Sequence, residues 1–460
     1  MRAYRITASF FLVLLACGPA LAQGPARSQL FTEGFLNRYG LTRSWWSHAT
    51  INPQRDKLLY MVVDETHIFL QASSGAISAF DAETGKALWT KQIGPTDTSV
   101  FPATSNDELL FVVNGLRLYA LNKDTGTTVW TLGMPGMPAA SPSADTHRVY
   151  VGFIDGSLYA FDLKITRELF NQNKLPQFSE SAVLWRYRTS KAVSIPAVPG
   201  ENIVAFASRN GSLYSVTTDD RKLVFQFETD APLTAPIVRY RNTLLLASED
   251  YNFYSLNLRN GKPGWQFTAG AVIRKAPVLI DDEVYLFPER ANMFKLSAAT
   301  GEPQWSVPRM VDFLAASTNQ VYVVDKHNNF TVLSRRDGQP LGMFPLGQFT
   351  KHLANDRSDR IYVATAAGLV ICLHEQGREF ARFHMHPDRQ PILPEFAPEG
   401  AGDEGAAEDG AGMEGKDGMP DAEMPGHEGD KPEAEADDGE KPEAEDAEKP
   451  DEEAEAEKSE

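Results

Sequence analysis

Cysteine is almost missing from this chain: two in 460 residues, Cys17 and Cys372. So low a count excludes a disulfide framework as the source of stability. Apolar runs are short. The one at residues 6–17 is too brief, and wrongly flanked, to span a membrane. No P-loop, Gly-x-Ser-x-Gly elbow or dinucleotide fingerprint occurs. His48, His67, His147, His327, His352 and His374 are scattered, with neither a His-x-x-x-His pair nor a His/carboxylate cluster. Aromatic residues stop at Phe396, and with them any prospect of a packed core beyond that point.

The two ends have their own compositions. Arg2 and Arg5 precede the apolar run, and Ala20-Leu21-Ala22 has the form of a leader-peptidase site, so residues 1–22 read as a secretory signal peptide. A second reading competes: Leu14-Leu15-Ala16-Cys17 resembles a lipobox that would leave Cys17 lipidated, and membrane association is expected only in that case. Either way the mature chain keeps one cysteine, Cys372, expected to be a packed, inert thiol. From residue 395 to 460 there are 27 Asp and Glu against 5 Lys, a net charge of −22. The whole chain carries −18, so residues 1–394 carry about +4. KPEAE occurs at Lys431 and again at Lys441. A segment so charged and so poor in apolar residues is expected to be disordered. Its acidity also argues against nucleic-acid binding.

Between these ends the chain repeats itself. Residues 75–89, GAISAFDAETGKALW, read as a hairpin: a short strand, a Thr84-Gly85 turn in which Asp81 can bond the turn backbone, and a return strand reaching Trp89. Eight copies can be aligned on Ser78, Tyr119, Tyr159, Tyr214, Tyr254, Phe294, Thr331 and Ile371, at steps of 41, 40, 55, 40, 40, 37 and 40 residues. Tryptophan follows the turn at Trp89, Trp130, Trp185, Trp265 and Trp305; Phe225 takes that place in the fourth copy and Phe344 or a neighbour in the seventh. A period near forty with room for four strands per unit predicts an all-β protein: an eight-bladed β-propeller of four-stranded antiparallel blades, rather than a solenoid. Around Tyr254 the strands are expected at 234–238, 243–248, 252–257 and 263–268. The expected division is a leader (1–22), an N-terminal cap or closing segment (23–55), the propeller (56–394) and the acidic tail (395–460). Trp45 and Trp46 resemble the start of an outer strand that would complete the last blade, and residues 379–385 could do the same from the other end. The 55-residue step replaces one turn with a long loop over residues 163–182, a candidate binding loop.

The pattern Ala79-Phe80-Asp81-x-x-Thr84-Gly85-x-x-x-Trp89 resembles the pyrroloquinoline-quinone (PQQ) repeat. Residues 118–130, with Thr125, Gly126 and Trp130, match nearly as well, and Trp265 and Trp305 keep the spacing from Gly261 and from Thr300-Gly301. The resemblance implies that these are repeat-defining structural residues and that each tryptophan docks against small residues of the neighbouring blade. The small position reads Ala79, Ala120, Ala160, Ser215, Ser255, Lys295, Val332 and Cys372. Enzymes of the family, the quinoprotein dehydrogenases, hold PQQ with Ca²⁺, a catalytic Asp and typically a pair of adjacent cysteines. No such pair exists here, so no PQQ or other cofactor, no metal and no catalytic residue is expected; Asp81 and Asp162 read as turn residues. His384-Met385-His386, with Met413, Met419, Met424 and His427, contains copper-type donors without regular spacing. The branch that serves outer-membrane barrel assembly implies instead an exported, non-catalytic scaffold, in the periplasm, on the outer membrane or at the cell surface, with a protein partner in the cell envelope. Two alternatives stand beside it. One is a quinoprotein dehydrogenase-like enzyme. The other is a carbohydrate or cell-wall binder using Trp45, Trp46 and Tyr187, residues more simply read as packing groups.

Overall fold

The structure, a computed structural model, describes residues 30–175 and 180–384. The leader, Cys17, Met385, His386 and the 395–460 segment lie outside the described residues.

Strand-forming residues in runs of five or six, punctuated by turns, give 32 strands among the described residues. They assemble into eight four-stranded antiparallel sheets, each built mostly from consecutive strands. The first blade is Leu58–Val63, His67–Ala72, Ala76–Asp81 and Ala87–Gln92. The innermost strand is often only two residues, as in Thr104–Ser105, Ser143–Ala144 and Val198–Pro199. Innermost strands of adjacent blades touch one another around the centre of the ring. The second strands are covered on both faces by neighbouring blades, so they are apolar almost throughout; all six residues of Leu109–Asn114 are buried. Outermost strands such as Ala87–Gln92 expose alternate residues. The core is therefore divided into clusters lying between blades rather than gathered in one centre.

The unit around Tyr254 has strands Val238–Tyr240, Thr243–Ala247, Asn252–Asn257 and Pro263–Thr268. Only the first is displaced from its expected place. Pro232 and Pro236 lack the N–H a ladder needs, so pairing starts after them.

The long insertion is not simply a loop. Asp162 still ends its strand, but its carboxylate accepts a hydrogen bond from Ile165 N at 2.8 Å and caps a helix, Leu163–Asn171. The sequence after Asp162 lacks a glycine at the turn position and is rich in helix formers, so the side chain that closes the turn elsewhere here starts a helix. Leu163 and Ala182 are buried against Trp130 and Leu109, with Phe170 and Leu175 packed on the same cluster.

The ring is closed from the N-terminal side. Strand Leu41–His48 pairs antiparallel with Leu369–Glu375 and forms the outer edge of the eighth blade. Among the described residues, 379–384 form no strand of the blade; Phe383 makes an isolated bridge to Ser358.

Candidate functional site

The repeat-defining residues converge on a latch between blades. In the first turn, Asp81 Oδ1 accepts hydrogen bonds from Thr84 N and Thr84 Oγ1, both 2.7 Å, and Gly85 N donates to Asp81 O at 2.9 Å. Asn122 does the same for Thr125 and Gly126, while Thr300 N bonds Ser297 Oγ at 3.3 Å. Gly85 has φ +70°, a left-handed conformation that side chains disfavour. Space is the stronger constraint. A Cβ on Gly85 would fall on the Trp45 indole, on Gly126 into Trp89, on Gly261 into Phe225, on Gly301 into Trp265 and on Gly338 into Trp305. In each case the ring belongs to the preceding blade. The indole N–H then reaches the same turn: Trp45 to Ala82 O (3.1 Å), Trp89 to Lys123 O (2.8 Å), Trp185 to Thr218 O (2.6 Å) and Trp305 to Arg335 O (3.1 Å).

Each tryptophan thus docks on the turn of the next blade. The small residues lie across the ladder in the tryptophan's own blade: Ala79 opposite Trp89, Ala120 opposite Trp130, Ala160 opposite Trp185, Lys295 opposite Trp305, Cys372 opposite Trp45. They make room for the indole on its own sheet. Trp130 meets the capped helix instead of a turn, and its Nε1, like that of Trp265, has no hydrogen-bond partner. In the seventh blade the tryptophan position is Gly342, not Phe344. Tyr39, from the N-terminal segment, fills the space left there.

A paired substitution separates the two constraints. Gly126→Ala and Gly270→Ala both place a side chain at φ near +70°, but only Gly126 faces an indole, while Gly270 faces open space. Gly270→Ala is expected to cost about 1 kcal/mol for the left-handed backbone. Gly126→Ala is expected to cost about 3 kcal/mol once overpacking is added. Urea midpoints of the two variants check the difference.

Strand directions sort the remaining surface into two faces. The turns that follow the first and third strands of each blade lie on one face, with the capped helix. The turns after second strands, and the links between blades, lie on the other. On this second face Leu116, Met137 and Ile154 are each more than half exposed. Backbone bonds from Met134 N to Leu116 O (2.9 Å) and from Ile154 N to Met137 O (3.1 Å) tie their three loops into one patch across the second and third blades. Sequence reasoning passed over it. The available signal was apolar residues at tight-turn positions, Gly115-Leu116, Met134-Pro-Gly-Met137 and Ile154-Asp155, where polar ones are the rule.

Among the described residues no three His, Cys, Asp or Glu side chains group as a metal site. Cys372 is fully buried in the eighth blade, where burial pushes its thiol up to about 12. Nor do the aromatics proposed for sugar stacking form a platform. Trp45 is buried, and Tyr187 packs on Phe206 and Tyr214; of the three only Trp46 is exposed.

A closed ring of eight four-stranded blades, latched from tryptophan to turn glycine, defines a β-propeller of the PQQ-repeat class. Residues 73–179 and 177–309 match the family described as outer membrane protein assembly factor BamB, and the chain belongs to that family. The crystal structure of BamB from Moraxella catarrhalis is similar over 73% of this chain and 98% of that one, with 15% identity and a TM-score of 0.57. The computationally designed Ika8 protein is similar over 70% of this chain and 96% of its own, at 14% identity and a TM-score of 0.55. A quinoprotein ethanol dehydrogenase from Pseudomonas putida is 30% identical over 103 residues, 20% of this chain. That match spans only 16% of the dehydrogenase.

Proposed function

We propose that the protein is an exported, non-catalytic scaffold that holds a protein partner in the cell envelope, in the periplasm or at the outer membrane, in the manner of an assembly factor. The observation that carries this reading is the apolar patch of Leu116, Met137 and Ile154. Three large side chains held in water on backbone-tied loops are a surface suited to burial by a partner. Membership of the assembly-factor family supports the same reading. Cleavage after Ala22 leaves the scaffold soluble; lipidation at Cys17 would tether it to a membrane.

The test is in-cell cross-linking from residue 137 or 154, followed by Leu116→Asp, Met137→Asp and Ile154→Asp together. The patch variant should lose the cross-linked protein while its melting temperature is kept. Loss on deleting residues 163–182, with the patch variant unaffected, would move the interface to the opposite face. Stoichiometric binding of PQQ and Ca²⁺ with turnover of an alcohol would replace the scaffold by a dehydrogenase.

A further inference from the structure

On the same face as the patch, but between the sixth and seventh blades, lies a pocket of about 590 Å³. Buried Phe287 gives it an apolar floor, Pro308 and Met310 add apolar lining nearer the surface, and Arg290, Arg309 and Lys326 line it as well. None of these three cations has a carboxylate partner among the described residues. The nearby acidic groups are already engaged. Glu289 is bound to Arg274 at 2.8 Å, which also holds Glu249 at 3.0 Å. Asp312 is bound by Lys275 and by His352 Nδ1. The pocket therefore carries an uncompensated positive charge over an apolar base.

The backbone makes the arrangement more telling. Arg290 has φ +57° and Arg309 φ +70°. Arg290 stands in the turn after the second strand, where the first, third, fourth and eighth blades use glycine for this conformation, at Gly75, Gly156, Gly211 and Gly368, whereas Arg309 stands in the link between the sixth and seventh blades. Arginine at such a place costs about 1 kcal/mol per residue relative to glycine. Two guanidinium groups are thus placed at one pocket by turns that glycine would make more cheaply.

We propose that this pocket is a binding site for an acidic peptide segment, with carboxylates on Arg290, Arg309 and Lys326 and an intervening apolar side chain on the floor. Guanidinium groups bind carboxylates through paired N–H donors, and the ammonium adds a third anchor. A small inorganic anion needs neither the volume nor the apolar floor. A bilayer presents a flat surface that does not enter a concave site. The site is separate from the patch on the second and third blades and stands whether or not that patch holds a partner.

Fluorescence anisotropy of the full chain with fluorescein-labelled EELEEFEE tests the proposal at low salt. Binding is expected, with affinity falling roughly tenfold or more in the combined Arg290→Glu, Arg309→Glu and Lys326→Glu variant, and for the uncharged probe QQLQQFQQ. The corresponding three glutamine substitutions should fall in between, and an octaglutamate probe without Leu or Phe should bind several-fold more weakly. An unchanged melting temperature shows that the variants are folded. Absence of probe binding, or equal binding by wild type and the triple variant, would overturn the site. Binding of phosphatidylglycerol vesicles through these three residues, with none of the peptide, would overturn it in favour of a membrane contact.

Discussion

A chain lacking residues 30–48 is expected to lose the ring, not one strand of it. Leu41–His48 makes seven ladder pairs with Leu369–Glu375. It brings Trp45, 7% exposed, onto Gly85 and its indole N–H onto Ala82 O. Tyr362 of the eighth blade donates to the same carbonyl at 3.0 Å, so one turn of the first blade receives both sides of the seam. Just before the strand, Phe31 and Phe35 pack edge-on and Tyr39 at a tilt around Phe344, with Phe31 also on Phe349. The strand pairing and the aromatic cluster join segments more than three hundred residues apart, a closure whose entropic cost is about 5 kcal/mol by chain statistics. Without the strand only the inner contacts of the seam, such as Tyr362 on Ala82 O, are left to offset that cost, and the third strand of the eighth blade becomes a bare apolar edge. The truncated chain should show a collapsed urea midpoint and a diminished strand signal in circular dichroism. Within the intact chain, Trp45→Ala is expected to cost about 3–5 kcal/mol. Trp46→Ala, whose ring is 54% exposed, should stay within about 0.5 kcal/mol. Equal effects from the two neighbours, or a truncated chain that unfolds like the parent, would mean that the seam is held elsewhere.

That seam marks what could be read from sequence. The forty-residue period and the Asp81, Thr84, Gly85, Trp89 set are legible because the turn itself is local, Asp81 bonding Thr84 and Gly85, and because the whole set recurs at a fixed spacing. They lead directly to eight antiparallel blades. Which terminus supplies the last strand is a matter of contacts across the whole chain, and no spacing encodes it. Trp45 and Trp46 look alike in sequence; only pairing with Cys372 and Ile371 turns one inward and the other out. The helix at Leu163–Asn171 was hidden for a different reason. Asp162 serves a turn or a helix cap equally well, and the choice falls to the residues after it. The tryptophan's docking surface was misplaced because the small residues and the turn glycines recur with one period. Periodicity cannot say whether a contact is within a blade or to the next one. The apolar patch and the basic pocket are built from turns of two adjacent blades, and no spacing in one repeat says which side chains of the next lie beside them.

Lys295 is the plainest departure from the repeat, and Glu283→Ala is expected to expose why it is tolerated. Lys295 stands where the other blades have alanine, serine, valine or cysteine, opposite Trp305, with only 3% of it exposed. Its Nζ lies 2.5 Å from Glu283 Oε1, donates to Arg335 O at 2.7 Å and rides over the Trp305 ring at 5.8 Å. Arg335 in turn donates to Glu283 Oε2 (2.7 Å), Asp281 Oδ2 (2.8 Å) and Ser317 O (2.8 Å). Burial holds the Lys295 ammonium below its ordinary range, and Glu283 opposes that drop. Removing the carboxylate leaves a buried ammonium facing a guanidinium, so Glu283→Ala should cost about 3–5 kcal/mol. The stem of the lysine, by contrast, only fills space beside the indole, and methionine has nearly the same reach. In the double variant Glu283→Leu with Lys295→Met both charges go, Arg335 keeps Asp281 and Ser317, and the cost should fall to about 1 kcal/mol. A double-mutant cycle on urea midpoints, with each single variant, should therefore give a coupling of about 2 kcal/mol or more. Additive losses would mean that Lys295 and Glu283 are solvated independently. Coupled losses would mean that the sixth blade keeps its latch, Trp305 on Gly338 and Arg335 O, because the ion pair replaces the water that the lysine gave up.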